Sequence, residues 1–287
     1  MAERGPRWAA WVEGLPATVR LLIEQWRLRQ DGDPTHGHCS LVLPVRTAEG
    51  AAAMLKVGFP DEESEHEHLA LQRWGGHGAV RLLSADPHHR GLLLERLSST
   101  DLSTVSDAQA CRVVADLYRR LHIPAMPQLR PLSSSVDRWT SELSGLARNA
   151  PIPRRLVEQA IALGTELAAD RAVADRVIHT DLHYANVLAG EREPWLVIDP
   201  KAVNGDPHYE IAPMLWNRWN EIACDTREGV RRRFWMLVDA AGFDEDRARG
   251  WVIVRVVHNA MWALRDRPHT DQAWLTRCIA VAKAVQD

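Results

Sequence analysis

Two neighbouring stretches constrain this chain more than anything else in it: His179-Thr-Asp181-Leu-His183-Tyr-Ala-Asn186 and, just after it, Trp195-Leu-Val-Ile-Asp199-Pro200. Asp181 and Asn186 stand five positions apart, and Asp199 closes an apolar, strand-like run from Trp195 to Ile198. Their side-chain oxygens are the donors a hard cation prefers. Alone, each of the three residues would be unremarkable; their order and spacing carry the information.

That order follows the protein-kinase pattern His-x-Asp-x-x-x-x-Asn. There the aspartate receives or orients the attacking hydroxyl's proton, and the asparagine reaches back to magnesium. A second aspartate, here Asp199, normally ends a strand and binds the magnesium that bridges the nucleotide phosphates. Ordinary protein kinases have arginine at the position of Thr180 and phenylalanine-glycine in place of Pro200-Lys201. With Gly205-Asp206-Pro207-His208-Tyr209-Glu210 and Gly78-Ala-Val-Arg-Leu-Leu83, the variant resembles the aminoglycoside phosphotransferase family, in its streptomycin 6-phosphotransferase and hydroxyurea phosphotransferase branch. The resemblance runs from about Trp26 to about Trp219. It implies an α+β, bilobal protein-kinase-like fold with a small antiparallel-sheet N-lobe and a mostly helical C-lobe. It also implies ATP and Mg2+ as cofactors and a small-molecule acceptor, foremost an aminoglycoside such as streptomycin at its 6-hydroxyl. Hydroxyurea or an endogenous metabolite is the alternative.

A chain of 287 residues is long enough for one large domain or two lobes with a proper core. A net charge of −3 gives no reason to expect nucleic-acid or membrane binding, so a cationic acceptor needs local acids to hold it. The N-terminal residues lack the apolar core of a signal peptide, and no run approaches the roughly 18 apolar residues of a membrane helix. Cys39, Cys111, Cys224 and Cys278 are scattered, with no close pair of the kind zinc sites use, and read as reduced thiols. The expectation is a cytoplasmic protein, monomer or weak dimer.

Helical character runs from Trp8 to Arg29, with Pro16 expected to kink or divide it. Ser40–Arg46 and Ala51–Val57 are strand candidates joined by Thr47-Ala-Glu-Gly50, a hairpin turn. Asp61–Trp74 reads as a helix with an acidic start. Ala79–Ser84 and Gly91–Leu97 are two further strands, so the lobe boundary is expected at residue 97, giving 1–97 for nucleotide and 98–287 for catalysis and acceptor. Ser106-Asp-Ala-Gln109 forms a capping box ahead of a helix that Pro124 ends. Pro124–Ser135 reads as a surface loop, and helical patterns follow over Arg154–Arg171, Arg227–Ala241, Glu245–Arg265 and Thr270–Val285.

Phosphoryl transfer asks a protein mainly to align the acceptor oxygen and neutralise phosphate charge. Asp181 is the candidate base, and Asn186 and Asp199 are the candidate magnesium ligands. Lys56, on the small-lobe hairpin, is placed to contact the α and β phosphates. Glu65 and Glu67 both compete as its partner, and the family spacing favours Glu67. Thr35-His-Gly-His-Cys-Ser40 is a glycine-poor version of the phosphate-covering loop, in which backbone amides and the Ser40 hydroxyl supply donors. Backbone groups around Glu95 and Leu97 are expected to meet adenine. His179 and His183 read as organisers of the loop. Lys201 is placed to reach a phosphate or a carboxylate. Asp206, Glu210, Glu221 and Asp225 are candidate acids for the acceptor pocket, with Trp216 and Trp219 as possible flat walls for a sugar.

Two other classes compete. His179, Asp181 and His183 alternate along the chain and suit a metal-dependent hydrolase, but that reading leaves Lys56, Asn186 and Asp199 unexplained. The reduced glycine loop leaves room for a kinase-fold module without turnover, against which stand the intact Lys56, Asp181, Asn186 and Asp199.

Overall fold

In the computed structural model, which describes residues 5–170, 175–265 and 271–286, the chain opens on helix α1 (Pro6–Gln25). The first four residues, Arg171 and Thr270 lie outside the described residues. Pro16 sits inside α1 without dividing it. It is exposed, and its missing N–H leaves the helix one backbone hydrogen bond short at that turn. Packing holds the helix through that point: Leu15, Val19, Leu22, Ile23 and Trp26 lie on an apolar cluster of Leu43, Val45, Ala53, Leu55, Val57 and Leu93. Full burial of one such leucine is worth about 2 kcal/mol.

That cluster is one face of a six-stranded antiparallel sheet. Its strands are β1 (Arg29–Gln30), β2 (Thr35–His36), β3 (Ser40–Arg46), β4 (Ala52–Gly58), β5 (Leu82–Asp86) and β6 (Gly91–Glu95). They are ordered β1-β3-β4-β6-β5, with β2 also on β3. The turn between β3 and β4 closes with Gly50 N–H on the Thr47 carbonyl at 2.9 Å, and Gly50 takes φ 86°. Helix α2 spans only Glu67–Trp74. The acidic residues expected to start it belong to a preceding turn, because Asp61 Oδ1 accepts from both the amide and the hydroxyl of Ser64 at 2.7 Å.

Beyond Ser99 the chain is mostly helical. The elements are α3 (Asp107–Leu121), α4 (Leu132–Ser144), α5 (Arg154–Ala169), strand β7 (Arg176–Ile178), short strands β8 (Val187–Ala189), β9 (Trp195–Val197) and β10 (Val203–Gly205), then α6 (Ala212–Trp216), α7 (Thr226–Ala241), α8 (Glu245–Arg265) and α9 (Gln272–Ala284). The expected cap of α3 forms, Gln109 N–H donating to Ser106 Oγ at 3.3 Å. Helix α4 begins inside the segment expected as loop: Leu132 and Val136, one turn apart, are buried with Leu167, Ile178, Trp251 and Val254, and that packing outweighs the weak helix propensity of the serines between them. Strand β7 pairs antiparallel with β10, Ile178 opposite Val203.

The chain divides into two compact units, one running to Ser99 and taking in Ala189–Lys201, the other formed by Thr100–Leu188 and everything from Ala202. The boundary expected at residue 97 leaves Ala189–Lys201 with the later residues. Backbone pairing explains the difference: Val80 N–H donates to the Val197 carbonyl and Val197 N–H to that of Gly78, both at 2.9 Å. Among the described residues no helix is long and apolar enough to cross a membrane.

Candidate active site

Alternation along β4 sends Ala53, Leu55 and Val57 to the face covered by α1 and Lys56 to the other. There Lys56 Nζ lies 2.7 Å from both carboxylate oxygens of Glu67, the first residue of α2, and 2.5 Å from Asp199 Oδ1. Glu65 instead faces Arg90, 3.7 Å away. Lys56 and Glu67 are 7% and 3% exposed. Burial works against the ammonium, but the carboxylates of Glu67 and Asp199 outweigh it and hold the Lys56 pKa above its ordinary value. Asp199 shows the mirror effect: burial pushes it up, and Lys56 and Lys201 together pull it well below the carboxylate range. Lys201 Nζ shares the same Oδ1 at 2.9 Å. Asp199 takes a left-handed φ of 56°, a conformation that re-aims its side chain straight after the β9 strand.

The second unit carries the loop that follows β7. Its Thr180 is also left-handed, φ 64°, an unusual conformation for a β-branched residue. The Thr180 N–H donates to Glu210 Oε1 at 2.8 Å, which fixes the turn ahead of Asp181. The Asp181 amide donates to His179 Nδ1 at 3.2 Å, and the Ala185 amide to His183 Nδ1 at 3.3 Å. Both imidazoles therefore spend one nitrogen on the loop backbone, which is the organising job expected of them and removes it from any joint metal site. Asn186 Nδ2 donates to the Asp181 carbonyl at 2.8 Å and lies 3.4 Å from its Oδ2. That orientation leaves the Asn186 Oδ1 oxygen for a hard cation, and the Asp199 carboxylate offers the same chemistry.

A family model described as aminoglycoside/hydroxyurea antibiotic resistance kinase matches residues 25–267. The chain belongs to that family. It is 41% identical to the streptomycin 6-kinase of Streptomyces glaucescens over 269 residues, covering 91% of this chain and 87% of that one. It is 43% identical to the hydroxyurea phosphotransferase of Kitasatospora aureofaciens over 265 residues, covering 89% and 75%. Among solved structures, a choline kinase from Streptococcus pneumoniae superposes with a TM-score of 0.62 at 13% identity, covering 94% of this chain and 99% of that one, a likeness of fold alone. The fold is thus the α+β, bilobal kinase type, and the chain is a small-molecule phosphotransferase.

Two acids expected to line the acceptor pocket of this kinase are buried in the interior instead. Asp206 and Glu210 are 0% exposed and fully engaged within the protein. Asp206 Oδ1 takes the His208 amide at 3.0 Å and its Nδ1–H at 2.6 Å, while Oδ2 takes Trp251 Nε1–H at 2.5 Å and the Arg247 guanidinium. Glu210 takes Thr180 and His122 Nε2–H, the latter at 3.2 Å. Burial pushes Glu210 up, but the His122 hydrogen bond and charge more than offset it and hold it below its usual value. Both acids are scaffold for the loop and its surroundings. Glu221 pairs with Arg218 at 2.6 Å, and Asp225 caps α7. Trp216 and Trp219 lie under the guanidiniums of Arg255 and Arg277, at 5.2 and 5.1 Å.

The Glu95 amide donates to the Arg81 carbonyl at 3.0 Å, and its carboxylate accepts from the Arg81 amide and clamps Arg192 at 2.6 Å. The amide of Glu95, expected to meet adenine, is thus engaged within the protein. Arg96 ties the same segment to the sheet through Asp31 and the Val45 carbonyl, at 2.8 and 2.7 Å. Neither arginine is legible in sequence, since their partners lie dozens of positions away. Ser40 begins β3, its carbonyl accepting from Gly37 N–H at 2.9 Å; a Cβ on Gly37 would meet Ser40 Oγ at 2.9 Å, so the single glycine is what leaves that hydroxyl room. A cavity of about 760 Å³ lies beside this turn, walled by Trp8, Trp11, His36 and His38; Lys56 and Asp199 do not line it.

Proposed function

We propose that this kinase transfers the γ-phosphate of ATP, with magnesium, to a hydroxyl of an aminoglycoside, and that streptomycin at its 6-hydroxyl is the acceptor. The observation that carries this reading is the likeness to the streptomycin 6-kinase along nearly the whole chain. In it Asp181 orients the acceptor hydroxyl and takes its proton as the oxygen attacks phosphorus. Lys56, kept protonated and aimed by Glu67, neutralises the α and β phosphates. Asn186 and Asp199 would hold magnesium, which would supply charge neutralisation to the nucleotide phosphates. Lys201 contacts the transferred phosphate, Ser40 the phosphates from the covering loop, and Leu97 the adenine. Hydroxyurea is the second reading, favoured by an equally high identity to a hydroxyurea phosphotransferase.

The test is magnesium-dependent ADP release from ATP by the purified protein, with streptomycin, other aminoglycosides, hydroxyurea and simple sugars supplied one at a time against a no-acceptor control. Acceleration by streptomycin is expected. Acceleration by hydroxyurea alone replaces the acceptor, and silence with every acceptor while ATP still binds ends the antibiotic reading. In the same assay, Asp181→Ala is expected to lower turnover by about a thousandfold while nucleotide still binds; unchanged turnover removes Asp181 from the mechanism.

A further inference from the structure

We propose that Tyr184 is a positioning residue of the catalytic loop, anchored by Asp107 and Arg233, and that its hydroxyl sets the rate of phosphoryl transfer without contributing to the binding of either substrate. The inference rests on the assignment of Asp181 as the base.

Tyr184 opens the 3-10 turn Tyr184–Asn186 and is 2% exposed. Its hydroxyl donates to Asp107 Oδ1 at 2.8 Å. Asp107 begins α3, and its second oxygen accepts from Arg233 Nε at 2.9 Å. Arg233, on α7, is fully buried and donates its remaining nitrogens to the carbonyls of Asn217, at 2.6 Å, and Arg218, at 3.2 Å. The guanidiniums of Arg218 and Arg233 lie 4.8 and 5.6 Å from the centre of the tyrosine ring. Burial acts to raise the Asp107 carboxyl, but the Arg233 hydrogen bond and charge outweigh it and keep the carboxylate ionised.

A ring buried only for packing needs no hydroxyl, and a phenylalanine would fill the same space. The hydroxyl adds direction. It ties the loop to the first residue of α3, two positions before Asn186 returns its hydrogen bond to Asp181. The loop is thus held at its start, where Thr180 meets Glu210, and again at Tyr184. Removing the hydroxyl leaves the first hold intact and frees the segment that carries Asn186. A small displacement there misaligns the attacking oxygen, whereas contacts made elsewhere to nucleotide and acceptor persist.

The experiment compares Tyr184→Phe with the parent for kcat, for KM of ATP and of the acceptor, and for the number of nucleotide sites per chain by calorimetry. The expected result is a kcat lower by about tenfold, both KM values within about twofold, and one nucleotide site per chain. An unchanged kcat overturns the proposal. So does a loss that vanishes when rates are expressed per nucleotide-binding site, since that is what a purely structural tyrosine would show. Asp107→Asn keeps one oxygen where two donors, the Tyr184 hydroxyl and Arg233 Nε–H, need acceptors, so it is expected to lower kcat in the same direction as Tyr184→Phe, with both KM values within about twofold. It carries the test if Tyr184→Phe does not fold. An unchanged kcat in Asp107→Asn at full nucleotide stoichiometry overturns the anchoring role. Asp181→Ala separates the two levels: if it is active, the base assignment fails and this inference with it, whereas an inert Asp181→Ala beside a fully active Tyr184→Phe overturns the tyrosine alone.

Discussion

Glu210 is the residue whose replacement tells most about how the catalytic loop is held. It is buried, it accepts the amide of a left-handed threonine, and it accepts a hydrogen bond from His122. Glu210→Ala strands the Thr180 amide and the His122 imidazole in the interior. The expected cost is about 1–3 kcal/mol of stability, checked by urea unfolding, with a fall in kcat at unchanged nucleotide affinity. The sign of the acid response follows from the same contacts. Because the carboxyl of folded Glu210 lies below its unfolded value, its stabilisation is complete above the unfolded value and is lost as pH falls through the folded one. Melting temperature is therefore expected to decline below about pH 4, and less steeply in Glu210→Gln than in the parent. The pairing of Lys56 with Glu67 is legible in sequence because phosphate chemistry demands a lysine on that hairpin and an acid on the next helix. Asp206 and Glu210 mislead because a carboxylate reads identically whether it faces a cavity or a buried histidine. Lys201 is decided by measurement: Lys201→Met is expected to lower kcat about tenfold with nucleotide still bound, and an unchanged kcat leaves it as a partner of Asp199 alone.

At the scale of elements, the contact between α1 and the sheet is tight enough to be tested with one methyl group. A Cβ on Gly91, the first residue of β6, would stand 2.6 Å from a Leu22 methyl. Gly91→Ala is expected to destabilise the protein by about 1–3 kcal/mol, read as a lowered Tm, and no change would mean α1 can shift on the sheet. Strand β3 is legible to its ends, since apolar residues with a glycine turn behind them leave little choice. The helices are legible where a stripe or a cap marks them, as at Ser106 and α3. Where tertiary packing overrides local preference they are not. Pro16 inside α1 and the serine-rich start of α4 both look like breaks in sequence and become helix because leucines beside them pack on apolar clusters.

For the molecule as a whole, ligand and stability are linked. A nucleotide that binds only the folded chain at a hundred times its dissociation constant adds about 2.7 kcal/mol. Magnesium-ATP is therefore expected to raise Tm, and Asp199→Asn to abolish the part of the rise that depends on magnesium; an undiminished magnesium effect would take Asp199 out of the metal site. The kinase-like architecture is legible at this scale because a few charged residues recur in fixed order along the chain. The acceptor is not, since nothing in sequence distinguishes an acid that meets a ligand from one that meets an arginine.

The thirteen residues from Ala189 to Lys201 make the chain visit its first unit twice. A gene cut once, anywhere, cannot hand each unit over complete. In recombination between relatives, a single crossover in the middle of the chain separates Lys56 and Glu67 from Asp199, the carboxylate they are packed against, and leaves each descendant to assemble that cluster from two lineages. Variants of this enzyme made by shuffling are better drawn with two junctions, so that the small segment travels with the sheet it belongs to.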